Sequence, residues 1–179
     1  KKNVNHTLLV GLNGAQGSGK STLCQLLIPL LSEGFGLKAC TLSLDDIYLT
    51  RAARAELAAT QHPLFATRGV PGTHDLPLGY AVIKQLQTAR PGEQVPIPRF
   101  DKAVDDRQAE SEWQQIEGPI DIILFEGWCI GATAQQPEAL DLPVNALKRD
   151  EDADGRWRQQ VNSELAGPYA DFFGMQVRC

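Results

Sequence analysis

Residues 14–21, Gly14-Ala15-Gln16-Gly17-Ser18-Gly19-Lys20-Ser21, crowd glycines ahead of a lysine and a hydroxyl. Before them, residues 6–12 form a short apolar run of the length of a buried strand. After them, Leu23, Leu26, Leu27, Leu30 and Leu31 fall at i, i+3, i+4, i+7 and i+8, which predicts one apolar face of a helix. The chain must therefore turn from a strand into a helix through glycine. Glycine reaches backbone angles closed to other residues, so successive amides can point inward. The helix start adds unpaired N–H groups and the positive end of its dipole. A concavity of this kind suits polyphosphate, and the spacing Gly, four residues, Gly-Lys-Ser is the Walker A or P-loop pattern. On this reading Gly14 to Ser21, with Thr22, bind nucleotide. The Lys20 ammonium reaches the β/γ-phosphates of ATP, and the Ser21 hydroxyl takes a place on Mg²⁺.

Further strands and helices alternate along the chain. Residues 38–44 read as a second strand ending in Asp45 and Asp46, and residues 50–61 as a helix with Thr50 as N-cap. Residues 62–78 lack periodicity and form a long loop, a length that favours a functional role. A helix is expected from about residue 79 to 88, an extended segment at 95–98, and an edge strand at 113–117. Residues 119–125 are a third strand, apolar enough to be central, closing on Glu126-Gly127-Trp128. Short helices are expected at 140–147 and 150–166, and a fourth strand from residue 174. The alternation predicts an α/β fold with three layers and a mainly parallel, doubly wound sheet, all 179 residues forming one domain.

Composition narrows the partners. The net charge is −5, which argues against nucleic acid or an anionic membrane as the main partner. No apolar run approaches the ~18 residues of a membrane span. The four cysteines show no metal-ligand spacing and suggest reduced thiols, so a cytoplasmic setting is expected. Nothing in the sequence bears on oligomeric state.

In a parallel sheet the ends of strands two and three converge beside the P-loop. Phosphoryl transfer needs Mg²⁺ and a carboxylate that orients or deprotonates the acceptor hydroxyl. We therefore expect Lys20, Asp45 and Glu126 to be catalytic. Asp45 is the base, and Glu126, with Ser21 and Asp45, holds the metal. A small hydroxylated substrate needs cations for a carboxylate and acids for a hydroxyl. Tyr48, Arg68, His74, Asp75, Arg99, Asp101 and Lys102 are the candidates, with Asp45 beside them. Arg156 and Arg158 suit a lid over the transferred charge.

The P-loop, residues 43–50, Arg68-Gly69 with residues 72–79, residues 98–102 and Phe125-Glu126-Gly127-Trp128 occur in an order that resembles the glycerate 3-kinase-type P-loop kinases, grouped with uridine kinase, pantothenate kinase and phosphoribulokinase. The resemblance implies transfer of the ATP γ-phosphate to a hydroxyl of a small metabolite, with D-glycerate leading. It also implies that Asp45 is the catalytic acid two residues before an apolar position, Ile47. Relatives continue with further strands beyond the end of this chain, so a sheet short of its C-terminal strands is expected. A nucleotide-binding module without turnover, or a kinase of a nucleoside, pantothenate or a sugar phosphate, are the alternatives. A GTPase fits poorly, since no Asn-Lys-x-Asp motif is present.

Overall fold

The computed structural model describes residues 6–175. The elements run β1 (Leu8–Asn13), α1 (Lys20–Phe35), β2 (Ala39–Ser43), α2 (Arg51–Thr60), α3 (Leu76–Thr88), β3 (Gln94–Ile97), β4 (Phe100–Asp101), β5 (Asp106–Arg107), β6 (Gln114–Glu117), β7 (Ile122–Gly127), α4 (Ala146–Asp150), α5 (Arg156–Ala166) and α6 (Pro168–Phe173). Short 3₁₀ turns cover Leu44–Ile47 and Pro63–Ala66. Among the described residues no helix is long and apolar enough to cross a membrane.

β7 is the central strand, buried at every position and paired in parallel with β1 on one side and β2 on the other. Its side chains alternate between two layers, as a pleated strand requires. Ile122 and Leu124 meet α1 through Cys24, with Val10, Leu12, Leu27, Ile28 and Leu31 packed around them. Ile123 and Phe125 face the opposite way, into the cluster of Val82, Ile83 and Leu86 of α3 and Phe172 of α6. The expected three-layer α/β arrangement with a parallel sheet is present. The hairpins β3–β6 and β4–β5 are antiparallel and stand apart from this sheet.

Several elements depart from expectation for identifiable reasons. On α1 the core stripe runs through Cys24, Leu27, Ile28 and Leu31, while Leu23, Leu26 and Leu30 are exposed. The helix carries two overlapping apolar stripes, and its start at Gly19, held at φ 85°, sets which one faces the sheet. α3 begins at Leu76 rather than 79 because the Asp75 carboxylate accepts from Leu78 N–H and caps it. No helix spans 140–147; Asn145 instead caps α4 one turn later. α5 starts at Arg156 rather than 150, since the buried Asp152 carboxylate accepts from the amides of Trp157 and Arg158. The segment before residue 174 is the helix α6, and of the fourth strand expected from Gly174 the residues 176–179 lie outside the described ones. Thr50 caps α2 as expected, accepting from Ala53 N–H.

The irregular segments near the sheet's C-terminal edge are held by a buried arginine. Arg54 of α2 is 1% exposed and donates to the carbonyls of Leu49, Ala66 and Asp105 at 3.3, 3.0 and 2.7 Å. Its guanidinium also pairs with the Asp105 carboxylate at 2.9 Å. One planar donor thus ties α2 to two loops. Arg54→Ala would leave three part-buried carbonyls without their donor, although Asp105 is partly exposed and keeps Arg68 as a partner. We expect a loss on the order of 2–3 kcal/mol in urea denaturation. Arg54→Lys should recover little of it, because one ammonium cannot span all the acceptors.

Candidate functional site

The register of the sheet assembles the site. Leu12 of β1 and Ser43 of β2 both stand opposite Glu126 of β7, and Asn13 stands opposite Gly127. The P-loop leaves β1 at the same level that the 3₁₀ turn leaves β2. Gly17 and Gly19 hold φ of 75° and 85°, in the left-handed region. At Gly14 an added Cβ would lie 2.9 Å from Ser18 Oγ. The Lys20 ammonium folds over its own loop and donates to the carbonyls of Gly14 (2.8 Å) and Ala15 (2.9 Å). Ser21 Oγ donates to Glu126 Oε1 at 3.0 Å, joining the first turn of α1 to the end of β7.

Asp45 and Asp46 are adjacent yet face different surroundings. Ser43 Oγ accepts from Asp45 N–H at 3.3 Å and starts the turn. Asp45 Oδ1 accepts from the Tyr48 hydroxyl at 3.1 Å, and Oδ2 from the Lys102 ammonium at 2.7 Å. Asp46 accepts from Arg99 at 2.9 Å and from Phe100 N–H at 3.2 Å, pinning the segment that carries Lys102. Burial pushes the Asp46 carboxyl above its ordinary range, against the pull of Arg99. Burial, reinforced by the Asp45 carboxylate, drives the Tyr48 phenol far upward, so Tyr48 acts only as a neutral donor.

A cavity of about 550 Å³ opens between the P-loop and the loop at Arg68. Lys20, Ser21, Asp45, Tyr48, Arg68, Lys102 and Glu126 all line it, together with Gln16 and Gly17. Arg68 pairs with Asp105 and lies 5.5 Å from the Phe100 ring centroid. Thr67 and Trp128 also line the cavity and were missed from the sequence. The position of Trp128 two residues after the strand-end acid Glu126 was the available signal; its indole donates to Gly69 O at 2.9 Å and fixes the opposite wall.

Other expected residues are placed elsewhere. Asp75 caps α3 and pairs with Arg107 at 2.9 Å. Asp101 Oδ1 accepts from Ala103 N–H and shapes the turn between β4 and β5. Arg99 lines a second cavity, of about 540 Å³, on the far side of Asp45. Arg156 is exposed and paired with Asp154 at 2.6 Å. Arg158 is buried against Asp152 at 2.9 Å and donates to Leu140 O at 2.6 Å, so its donors are already committed. Neither arginine lines the P-loop cavity.

His74 is not among the residues that line the cavity. It is buried, stacked on Tyr48 with ring centroids 4.4 Å apart, and shares a 2.6 Å hydrogen bond with the Tyr169 hydroxyl of α6. Tyr169 also accepts from Gly72 N–H at 3.0 Å. Burial pulls the His74 imidazole down to about 3, against the nearby Asp45 charge, so it is a neutral support behind Tyr48. Nothing in the sequence linked Tyr169 to this group.

A parallel α/β sheet with a P-loop between its first strand and first helix, and carboxylates on the neighbouring strand ends, defines a P-loop kinase fold. No family model matches the chain. It is 36% identical over 131 residues to the D-glycerate 3-kinase of Arabidopsis thaliana, a match covering 69% of this chain and 28% of that protein. It is 37% identical over 130 residues to the uncharacterized kinase mug58 of Schizosaccharomyces pombe, covering 69% and 46%. The solved D-glycerate 3-kinase of Cryptococcus neoformans superposes with a TM-score of 0.73 at 30% identity, over 89% of this chain and 58% of that one. The resemblance to glycerate 3-kinase-type P-loop kinases holds. The matches take in less than half the length of those two curated relatives.

The depressed His74 imidazole makes a signed prediction. A histidine that ionises near 6.5 when unfolded and near 3 when folded contributes stability that is present above pH 6.5 and is lost as pH falls toward 3. Thermal melts between pH 7 and 4 should show a smaller loss in His74→Phe than in the wild type. Equal slopes would mean that His74 ionises freely in the folded state.

Proposed function

We propose that the chain transfers the γ-phosphoryl group of ATP to a hydroxyl of a small metabolite, with D-glycerate as the acceptor. The observation that carries this reading is the meeting of the P-loop, the Ser21–Glu126 hydrogen bond and Asp45 in one cavity. The amides of residues 14–22 and the Lys20 ammonium bind the phosphates. The donor set fits a hard divalent cation, a hydroxyl oxygen and a buried carboxylate oxygen 3.0 Å apart at the end of the loop. Ser21 and Glu126 would hold Mg²⁺, with Asp45 nearby, and the bound metal neutralises charge on the phosphates.

Asp45 takes the proton of the acceptor hydroxyl, and the Tyr48 bond to Oδ1 keeps the carboxylate turned toward the cavity. Arg68 supplies the cation for the acceptor's carboxylate from the opposite wall. That pairing of a carboxylate anchor with a base for a hydroxyl suits a hydroxy acid. It agrees with the names of the Arabidopsis and Cryptococcus proteins. We assign the reaction to the cytoplasm on the strength of the three cysteines among the described residues, which are buried and form no disulfide with one another; Cys40 and Cys129 are pushed up to about 12 by burial and are inert as thiols.

ADP formation from Mg-ATP, with and without D-glycerate, tests the proposal. Stimulation by D-glycerate is expected in the wild type. Lys20→Ala and Asp45→Asn should each lower it by about 10²-fold or more while keeping the circular-dichroism spectrum. Full activity in both variants would overturn the assignment. Binding of ATP without stimulation by any acceptor hydroxyl would favour the module without turnover.

A further inference from the structure

Lys102 sits at the tip of the β4–β5 hairpin, and its side chain is 59% exposed. The backbone around it is held at several points. Phe100 N–H donates to Asp46, Asp105 is gripped by Arg54 and Arg68, and Asp106 Oδ1 accepts from Arg51 N–H at 3.0 Å. What remains free to move is the four-carbon stem and its ammonium.

That ammonium rests at 2.7 Å on Oδ2 of Asp45, while Tyr48 occupies Oδ1. Both oxygens of the proposed base are thus engaged. Lys102 and Asp45 line the P-loop cavity and also the second cavity behind it, so the pair stands on the divide between the two. The other cations of the P-loop cavity are differently tied. Lys20 is bonded to loop carbonyls, and Arg68 is fixed by Asp105 and the Phe100 ring. An exposed lysine–carboxylate pair is weak, because water solvates both partners well. A triphosphate brought into the same cavity concentrates far more negative charge than one carboxylate.

We propose that Lys102 is a mobile catalytic cation. It caps Asp45 when no triphosphate is bound and crosses to the γ-phosphoryl oxygens when one is. The base is thereby released in the nucleotide complex, and the transferring group gains a second lysine opposite Lys20. The inference rests on the phosphoryl-transfer reading of the site. In the step itself the acceptor O–H bond breaks and its proton goes to Asp45 Oδ2. The acceptor oxygen bonds to the γ-phosphorus, and the bridging P–O bond breaks with its electron pair leaving on ADP. Lys102 keeps its proton throughout.

Titration calorimetry with a non-hydrolysable ATP analogue and with ADP, each with Mg²⁺, separates the roles. Lys102→Met should weaken the analogue by about tenfold and leave ADP within about twofold, because only the triphosphate offers the γ-oxygens. Lys102→Arg should restore most of the difference. In turnover, Lys102→Met should lower kcat with little change in KM for D-glycerate. The proposal is overturned if both nucleotides weaken equally or neither does. It is equally overturned if KM for D-glycerate rises at unchanged kcat, which would make Lys102 a contact to the acceptor. A wild type that binds the analogue but phosphorylates nothing removes the function proposed above, while the ratio of the two affinities still decides Lys102. Binding of neither nucleotide sinks both. Lys102 is exposed, and a melting curve checks that each variant stays folded.

Discussion

The site depends on the pairing of β7 with both neighbours in one register. Leu12, Ser43 and Glu126 lie on a common rung, so the loop after β1 and the turn after β2 emerge side by side. A slip of one residue would turn Glu126 into the opposite layer and put Phe125 or Gly127 in its place beside Ser21. Burial prevents the slip. Ile122 and Leu124 fit the α1 layer, and Ile123 and Phe125 the α3 layer, so any shift would mismatch both cores together. The chemistry at the strand end inherits its precision from side chains that take no part in it.

Beyond the sheet edge the backbone is irregular, and ion pairs take over as the positioning force. Arg54 with Asp105 and Arg68, Arg99 with Asp46, and Arg107 with Asp75 form three clamps around the cavity. Arg107 also donates to Tyr48 O at 2.8 Å, holding the turn that presents the tyrosine. The clamps differ in strength. The Arg54 guanidinium is buried and water reaches its bonds only from the partner side, whereas the side chain of Arg99 is 46% exposed and its pair is correspondingly weaker.

The same contrast explains what could be read from the residues alone. The P-loop, the strand-end acids and the layered sheet were legible because each is local: glycine spacing, an apolar run, an acid directly after it. The α1 face was not, since Leu23 and Cys24 each begin a helical stripe and only the glycine start decides between them. His74, Asp75, Arg99 and Asp101 looked like substrate ligands because charged loop residues near a site have the same appearance whether they face the cavity or one another. Their partners lie 2 to 95 residues away in sequence, a relation that composition and periodicity do not encode. Arg158 is the extreme case, a buried arginine spent on its own helix start.

Asp45 and Asp46 show how far neighbouring identical residues can diverge. The 3₁₀ turn points consecutive carboxylates in different directions, so one meets a hydroxyl and a flexible ammonium while the other meets a guanidinium and an amide. Asp46 is then committed: releasing it would strand a buried carboxylate and free the segment at Phe100. Asp45 is held by contacts that can be exchanged without moving the backbone. A base must be oriented before the reaction and available during it, and a carboxylate fixed by a tyrosine on one oxygen and a mobile lysine on the other satisfies both demands. The rigid acid beside it anchors the segment on which that lysine travels.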